Sequence, residues 1–549
     1  MAIPRPFFRK MRIRGSLEHS LFILVLGLFF LLIACPLVGL CIDLLQTFLG
    51  GGLDFSSPLL LSSRRLWLLG ASIGLAASVA FAGMVTGILL VSFLWRTSRT
   101  ILPGILLALL ALAAVPPYIH ALTWSSLFWR IADFFPGLPL TGWGISFWVE
   151  FMALLPLATL LAWIAFASVD PCLVEAGRVF RPDMDTFLRV LLPLSAPALG
   201  AAFGFLFLLC CSDYAIPSLF GADVYALDIF AQFSASASSA MAFLYAMPLM
   251  LVTILVMIAC RSGIRTLAQT PDWVSTRFGT KPRFPRVFVA LQVIACGIIS
   301  LQILVLFSGL VMTTGTLSTF ARSVSVAQGE LAYSLLIVTG VILISLPLAL
   351  AAAYALKWPG LRGTVAWTLV LLPLAIPASL TGIGMILFWN IPGPAMLFPG
   401  LLMPVLVSVA RFAPFAAIIL FVQLRMIDPI LFDAAEVFSR SSIKTWARVS
   451  LPLFAPGLIV AAGILAALTL AELGATLVVS PPGHATLTMR IYNYLHYGAA
   501  GEVAGLCLMI TILTLIAGVC TIAALFWAYR RSGSGRAGDE RGAQEYDHP

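Results

Sequence analysis

The chain has 549 residues, of which 61% are hydrophobic and only 10% are Asp, Glu, Lys or Arg, whereas soluble globular domains carry roughly 25% charged residues. This composition excludes a soluble enzyme or a nucleic-acid-binding module and demands a lipid bilayer as solvent. The net charge of +9 is therefore informative only once it is assigned to the two sides of a membrane.

A hydrocarbon core about 30 Å thick takes roughly 20 apolar residues per helix. A basic arm with Arg5, Arg9, Lys10, Arg12 and Arg14 precedes the first apolar run, 21–44. The start looks like a signal peptide, and Leu32-Ile33-Ala34-Cys35 looks like a lipoprotein cleavage box. The run outlasts the 7–15-residue core of a signal, however, so it reads as an uncleaved first span. Further runs fall at 66–95, 101–127, 144–168, 194–214 and 241–260, and, beyond a polar stretch, at 287–310, 331–356, 365–389, 401–422, 454–477 and 503–528. The expected fold is an all-α integral membrane protein with about 12 transmembrane helices. The nine cysteines show no C-x-x-C spacing and lie mostly inside these runs, where Cys acts as a small hydrophobe, so neither a disulfide framework nor a metal site is expected.

With the N-terminus inside, 26 Lys and Arg residues fall on the inner side. Five fall outside (Arg64, Arg65, Arg130, Arg322, Arg490), and Arg411 lies within a span. Lys/Arg asymmetry of this size places both termini in the cytoplasm.

The chain repeats itself. Asp170-Pro171, Glu175-Ala176-Gly177 and Val179-Phe180 recur with identical internal spacing as Asp428-Pro429, Asp433-Ala434-Ala435 and Val437-Phe438, and Leu192-Pro193 recurs, one position later in register, as Leu451-Pro452. Ser72 and Ser334 open corresponding second spans, and Pro116 and Pro377 sit in corresponding third spans. The division expected is a first six-helix repeat over 1–260 including the basic arm, a cytoplasmic linker over 261–286, a second repeat over 287–529 and a disordered Gly- and charge-rich tail over 530–549. Six spans is an even number, so the halves are parallel repeats, two bundles with a pathway between them.

Each repeated segment falls in the cytoplasmic loop between the fourth and fifth spans. Asp-Pro supplies an N-cap followed by Pro at the first helical position, so each loop starts a short helix. Its next turn presents one acidic and two small residues. Small side chains let another protein approach closely, and the acid offers a charge partner for an Arg across the contact.

These residues resemble a known family. Asp433-Ala434-Ala435 through Thr445, Trp446, Arg448 and Leu451-Pro452 is similar to the EAA loop of permeases in binding-protein-dependent ABC importers of type I. Glu175-Ala176-Gly177 through Thr186, Phe187, Arg189 and Leu192-Pro193 follows it one residue shorter. The resemblance implies that Glu175, Ala176, Gly177, Asp433, Ala434 and Ala435 seat two cytoplasmic ATPase subunits. It implies a periplasmic substrate-binding protein as the other partner and the bacterial inner membrane as the location. Where the family has Gly, this chain has Arg181 and Ser439, and Gly177 replaces a second Ala, so the two ATPase contacts are expected to be unequal. No cofactor is expected on this chain; ATP-Mg is expected on the partner. Its four lysines, Lys10, Lys281, Lys357 and Lys444, form no G-K-[ST] phosphate loop, so it is not expected to be an enzyme itself.

Asp213 and Glu472 follow Pro193 and Pro452 at one and the same spacing, and so hold equivalent positions near the outer end of the fifth span. Ionisable groups at membrane depth face protein or water. Two readings stand: both acids line the pathway or its outer gate, or each caps or pairs with a neighbouring segment. Arg411 either neutralises an acid such as Glu472, binds an anionic cargo or packs at an interface, and His120 reads as a satisfied buried imidazole. The fused double length, Ser212-Asp213-Tyr214 with Leu219-Phe220-Gly221, and Glu472-Leu473-Gly474 with Pro481-Pro482-Gly483 are similar to ferric-iron permeases. Thiamine, polyamine and phosphonate permeases share much of this organisation; ferric iron is the favoured cargo. An ion-coupled secondary transporter working through Asp213 and Glu472 is the alternative from another class.

Overall fold

A computed structural model describes residues 16–51, 62–97, 101–135, 137, 140–236, 238–267, 281–391, 400–438, 445–497 and 500–544, and every regular element among them is helical. In chain order these are α1 (Ser16–Leu49), α2 (Ser63–Leu94), α3 (Leu102–Ala113), α4 (Pro117–Ala132), α5 (Trp143–Ala167), α6 (Pro171–Phe180), α7 (Asp183–Thr186), α8 (Leu192–Ser212), α9 (Ala215–Leu219), α10 (Tyr225–Ser236) and α11 (Ser239–Leu267). The series continues with α12 (Arg286–Thr314), α13 (Leu317–Val326), α14 (Gln328–Ala355), α15 (Gly360–Leu371), α16 (Ala378–Trp389), α17 (Met403–Met426), α18 (Pro429–Phe438), α19 (Leu451–Ala471), α20 (Thr476–Val479), α21 (Leu487–Tyr497) and α22 (Ala500–Gln544).

Ten helices among the described residues are long and apolar enough to cross a bilayer, or up to 12 spans if each of two bent helix pairs counts as one. The pairs are the third span of each series. Each was expected as one apolar run, 101–127 and 365–389, but α3 and α4 meet at 88° and the 360–375 segment meets α16 at 109°. Proline is the cause in both. Pro116 is extended (φ −57°, ψ 140°) and Pro117 opens α4; Ile376, ahead of Pro377, is held extended at φ −100°, ψ 122°. A residue preceding Pro is sterically barred from the helical region, and Pro has no N–H to continue the ladder.

Two hydrogen bonds repeat at a fixed interval. The amide of Tyr225 donates to Ser72 Oγ at 2.8 Å, and the amide of Leu487 donates to Ser334 Oγ at 2.9 Å. Each spans 153 residues, and each ties the start of an interfacial helix (α10, α21) to the second span of its own series.

The first helix of each series packs away from home. Leu26, Phe29, Leu32 and Ile33 of α1 are buried in one core with α14 and α17, and α1 crosses α16 where a Cβ on Gly39 or Gly384 would strike the other helix's backbone. Conversely, α12 lies on α2 and α4 as well as on α22 of its own series. Gln292 Nε2 donates to Ser92 Oγ at 2.8 Å, Trp124 Nε1 donates to Gln302 Oε1 at 2.8 Å, and Gln302 Nε2 meets His120 Nδ1 at 2.5 Å. Both glutamines are fully buried, so these bonds act as polar glue between otherwise apolar helices. The outward faces carry large exposed apolar side chains such as Leu24, Phe81, Ile258, Leu304 and Leu343, a surface suited to lipid rather than water.

Candidate functional site

The two loop helices are built alike from local chemistry. Asp170 Oδ1 accepts the amide of Cys172 at 2.9 Å and Asp428 Oδ1 accepts the amide of Ile430 at 2.9 Å, with Pro171 and Pro429 at the first helical positions. Both loops re-enter the membrane through a π-helical turn, Phe187–Leu191 in one and Trp446–Ser450 in the other. The amide of Leu192 bonds the carbonyl of Phe187, five residues back. Pro193 and Pro452 cannot donate and would crowd the carbonyl four residues before them, so widening the turn relieves both defects.

Glu175 and Ala176 are exposed on α6 and Gly177 is half-buried; Ala434 and Ala435 are half-buried on α18. Asp433 lies mid-helix, its side chain outside the described residues, as is Ser439 altogether. A Cβ on Gly177 would stand 3.0 Å from Thr186 Cγ2, so glycine allows α6 to fold tightly onto α7. Arg181 explains how a non-glycine residue is accommodated at its turn. It is extended (φ −140°, ψ 151°), not left-handed, because Pro182 follows it. Its guanidinium pairs with Asp185 at 3.1 Å, and Asp185 also pairs with Arg189 at 2.6 Å.

The first loop is braced from outside as well. Asp183 Oδ1 accepts Arg178 Nε at 2.7 Å, and its Oδ2 accepts the amide of Arg283, from the end of the linker, at 2.5 Å. Phe284 and Phe288 pack on Phe187. Val174 anchors α6 inward, while Leu173, Val179 and Phe180 face out, Phe180 at 86% exposure. On the same helix the negative charge of Asp170 raises the Cys172 thiol above its ordinary value.

The two acids end the fifth spans. Asp213 and Glu472 follow the last residues of α8 and α19 in extended conformation, a place where a helix dipole disfavours negative charge. Each compensates by capping what comes next. Asp213 Oδ1 accepts the amide of Ala215 at 2.9 Å, and Glu472 Oε1 accepts the amide of Ala475 at 2.7 Å. Glu472 Oε2 is bound by the Arg411 guanidinium, so these two are brought together. Asp213 instead lies against Glu150.

The turns that follow the acids meet each other. A Cβ on Gly474 would stand 2.7 Å from the Ala378 Cβ and 3.6 Å from Tyr214 Oη, so Tyr214 closes against Gly474 across the two series. Glu150 escaped the sequence reading although an acid inside an apolar run is a direct signal. The buried Gln292 and Gln302 escaped it too. His120 is partnered by Gln302, and no group of three or more potential metal ligands exists among the described residues.

No family model matches the chain. Over 235 residues it is 29% identical to the "Putative 2-aminoethylphosphonate transport system permease protein PhnV" of Salmonella paratyphi A. Proteins of the same name from Salmonella typhimurium and Salmonella choleraesuis match equally, the stretch covering 42% of this chain and 85% of each relative. These relatives are thus about half as long as this chain. The chain is a multi-span helical membrane protein with distant, partial homology to a transport-system permease.

Proposed function

We propose that the chain is the membrane permease of an ATP-driven, binding-protein-dependent importer, set in the bacterial inner membrane with both termini in the cytoplasm. The observation that carries this reading is the pair of Asp-Pro-capped helices, α6 and α18, each joined by a π turn to a fifth span. Exposed Leu173, Val179 and Phe180 beside small residues suit burial under another protein. The two ATPases, closing on ATP, draw α6 and α18 together; the rigid π turns pass that movement into α8 and α19, and the turns at Tyr214 and Gly474 part. The half-length relatives support two permease-sized halves, which we take as 1–260 and 287–529.

The relatives' name favours an organophosphonate as cargo. The Arg411–Glu472 pair fits that class, offering a cation and an anion to a zwitterion once parted. Ferric iron remains the second reading, on the resemblance of the fused form.

Purification from membranes in detergent tests the docking. An ATPase subunit is expected to co-purify, and to be lost when Glu175-Ala176-Gly177 and Asp433-Ala434-Ala435 are replaced by bulky or basic residues; undiminished ATPase binding refutes the reading. Uptake of labelled 2-aminoethylphosphonate against labelled ferric iron, with the cognate binding protein present, separates the cargoes. Uptake by vesicles lacking any ATPase would favour an ion-coupled transporter.

A further inference from the structure

The second series neutralises its helix-end acid with a guanidinium, and among the described residues the first series brings none to its own. Asp213 and Glu472 hold matching positions and do the same capping work with one oxygen. The other oxygen of Glu472 takes Arg411. The other oxygen of Asp213, Oδ2, is buried without a donor, and so is Oε1 of Glu150, a residue only 2% exposed. The two carboxyls lie close enough to act on one another, and the Cys210 thiol lies close to Glu150.

The helices that supply these partners correspond. Pro156 of α5 and Pro414 of α17 are separated by the same interval as Asp170 and Asp428, which sets Ala153 against Arg411 and leaves Glu150 one helical turn away. The helix that brings a positive charge to the acid in one series brings a second acid in the other.

Among the described residues, nothing around the pair replaces the guanidinium. From α8 and the following turn come Cys210, Cys211 and Tyr214. Arg65 of α2 is paired with Asp228, Arg130 of α4 lies against Met312, and His120 is bonded to Gln302. Arg64 of α2 is likewise held by Asp228 and Asp223, while α3 and α9 contain no charged residue. On α12 and α11, Arg286, Arg261 and Arg265 lie at the ends that meet the linker.

Two ionised carboxylates can only accept hydrogen bonds, so in contact they repel and leave both oxygens unserved. One added proton turns the pair into a donor and an acceptor and serves both. We propose that Glu150 and Asp213 form a proton-binding site, one proton held between their carboxyl groups in the place that Arg411 fills in the other series. The proton resides toward Glu150, because Asp213 already accepts the Ala215 amide and is thereby favoured as the anion. The bond fastens α5 to α8 at the turn where Tyr214 meets Gly474, so loss of the proton loosens the first series at that closure. This inference does not depend on the cargo or on the ATPase.

The test uses the full chain in detergent or lipid, with infrared spectroscopy and thermal unfolding. The wild type is expected to show the C=O stretch of one protonated carboxyl at neutral pH. Glu150→Gln, whose amide can donate to Asp213 without a proton, should remove that band, whereas Asp213→Asn, which leaves Glu150 buried and protonated but takes away its carboxylate partner, should keep the band and shift its frequency. A site that binds its proton more tightly folded than unfolded stabilises at low pH and loses that contribution as pH rises through the folded-state value. The wild-type Tm should therefore fall with rising pH and that of Glu150→Gln should not. Absence of the band from the wild type, or its persistence in Glu150→Gln, overturns the proposal. So does a Tm at fixed pH that rises with Na⁺ in the wild type but not in Glu150→Gln, which would put a metal cation there. Should Glu150→Gln fail to fold, the Asp213→Asn spectrum decides: a band unshifted from the wild type overturns the proposal.

Discussion

Arg411 and Glu472 show what a single buried pair does in this protein. Glu472 is nearly inaccessible and Arg411 mostly so, and removing one member leaves the other charged in an apolar surround. Arg411→Met is expected to cost about 3–5 kcal/mol. Adding Glu472→Gln should restore most of the loss, a coupling measurable as a double-mutant cycle on Tm; additive losses would show that the two do not act as a pair. An outer pair gives the same lesson with the charges exchanged. Asp228 of α10 binds Arg65 at 3.3 Å, whereas Arg490 of α21, which stands to Leu487 as Asp228 stands to Tyr225, binds Glu330. What the duplicated positions keep is an attraction between interfacial helix and second span, not the sign of either residue. Arg411 was legible in the sequence as a charge in a span, with Glu472 among its possible partners. Glu150 carried the same signal, but its meaning rests on a contact with Asp213 that no spacing within α5 reveals.

At the scale of an element, the loop helices were legible because caps and prolines act within a few residues. Asp170-Pro171 and Asp428-Pro429 start helices wherever they are placed on a surface. The π turns were not legible: they arise from a proline meeting a helix already committed to its course. The turn at Arg181 is made without a glycine, since Pro182 forces the preceding residue into an extended conformation that any side chain adopts. Cys172 provides a probe of this element. It is exposed, and Asp170 disfavours its thiolate, the reactive form. In a chain with Cys172 as sole cysteine, labelling by a membrane-impermeant maleimide should quicken as pH rises. Asp170→Asn, which retains a capping oxygen, should speed labelling at fixed pH. An unchanged rate would mean that the charge of Asp170 does not govern the thiol. Labelling from the side opposite the basic arm would reverse the orientation proposed here.

At the scale of the whole molecule, the exchange of first helices binds the two series together. Because α1 is buried against α14, α16 and α17 while α12 is held by Ser92, Trp124 and His120, neither series completes its core alone. Cutting the chain within 268–280 should leave two fragments that co-purify when expressed together, while either fragment alone is degraded. Fragments that are each stable and fail to associate would contradict this arrangement. Gly384→Leu, which drives a side chain into the α1 backbone at Pro36, should weaken the association of the co-expressed fragments, read as loss of co-purification.

The sequence by itself determined the solvent, the number of apolar runs, the capped loop helices and the repeated positions, because hydropathy, Pro geometry and N-cap chemistry act over one or two helical turns. Only the tertiary structure decided which helix covers which core, that the third spans bend by about a right angle, and that Asp213 faces Glu150 while Glu472 faces Arg411. Inside a bilayer every helix is apolar all round, so hydropathy no longer marks the buried face. Partners are then chosen by close backbone approach at residues such as Gly39 and Gly384, and by a few buried polar groups whose partners lie far away in the chain, as Glu472 does from Arg411 and Gln292 from Ser92.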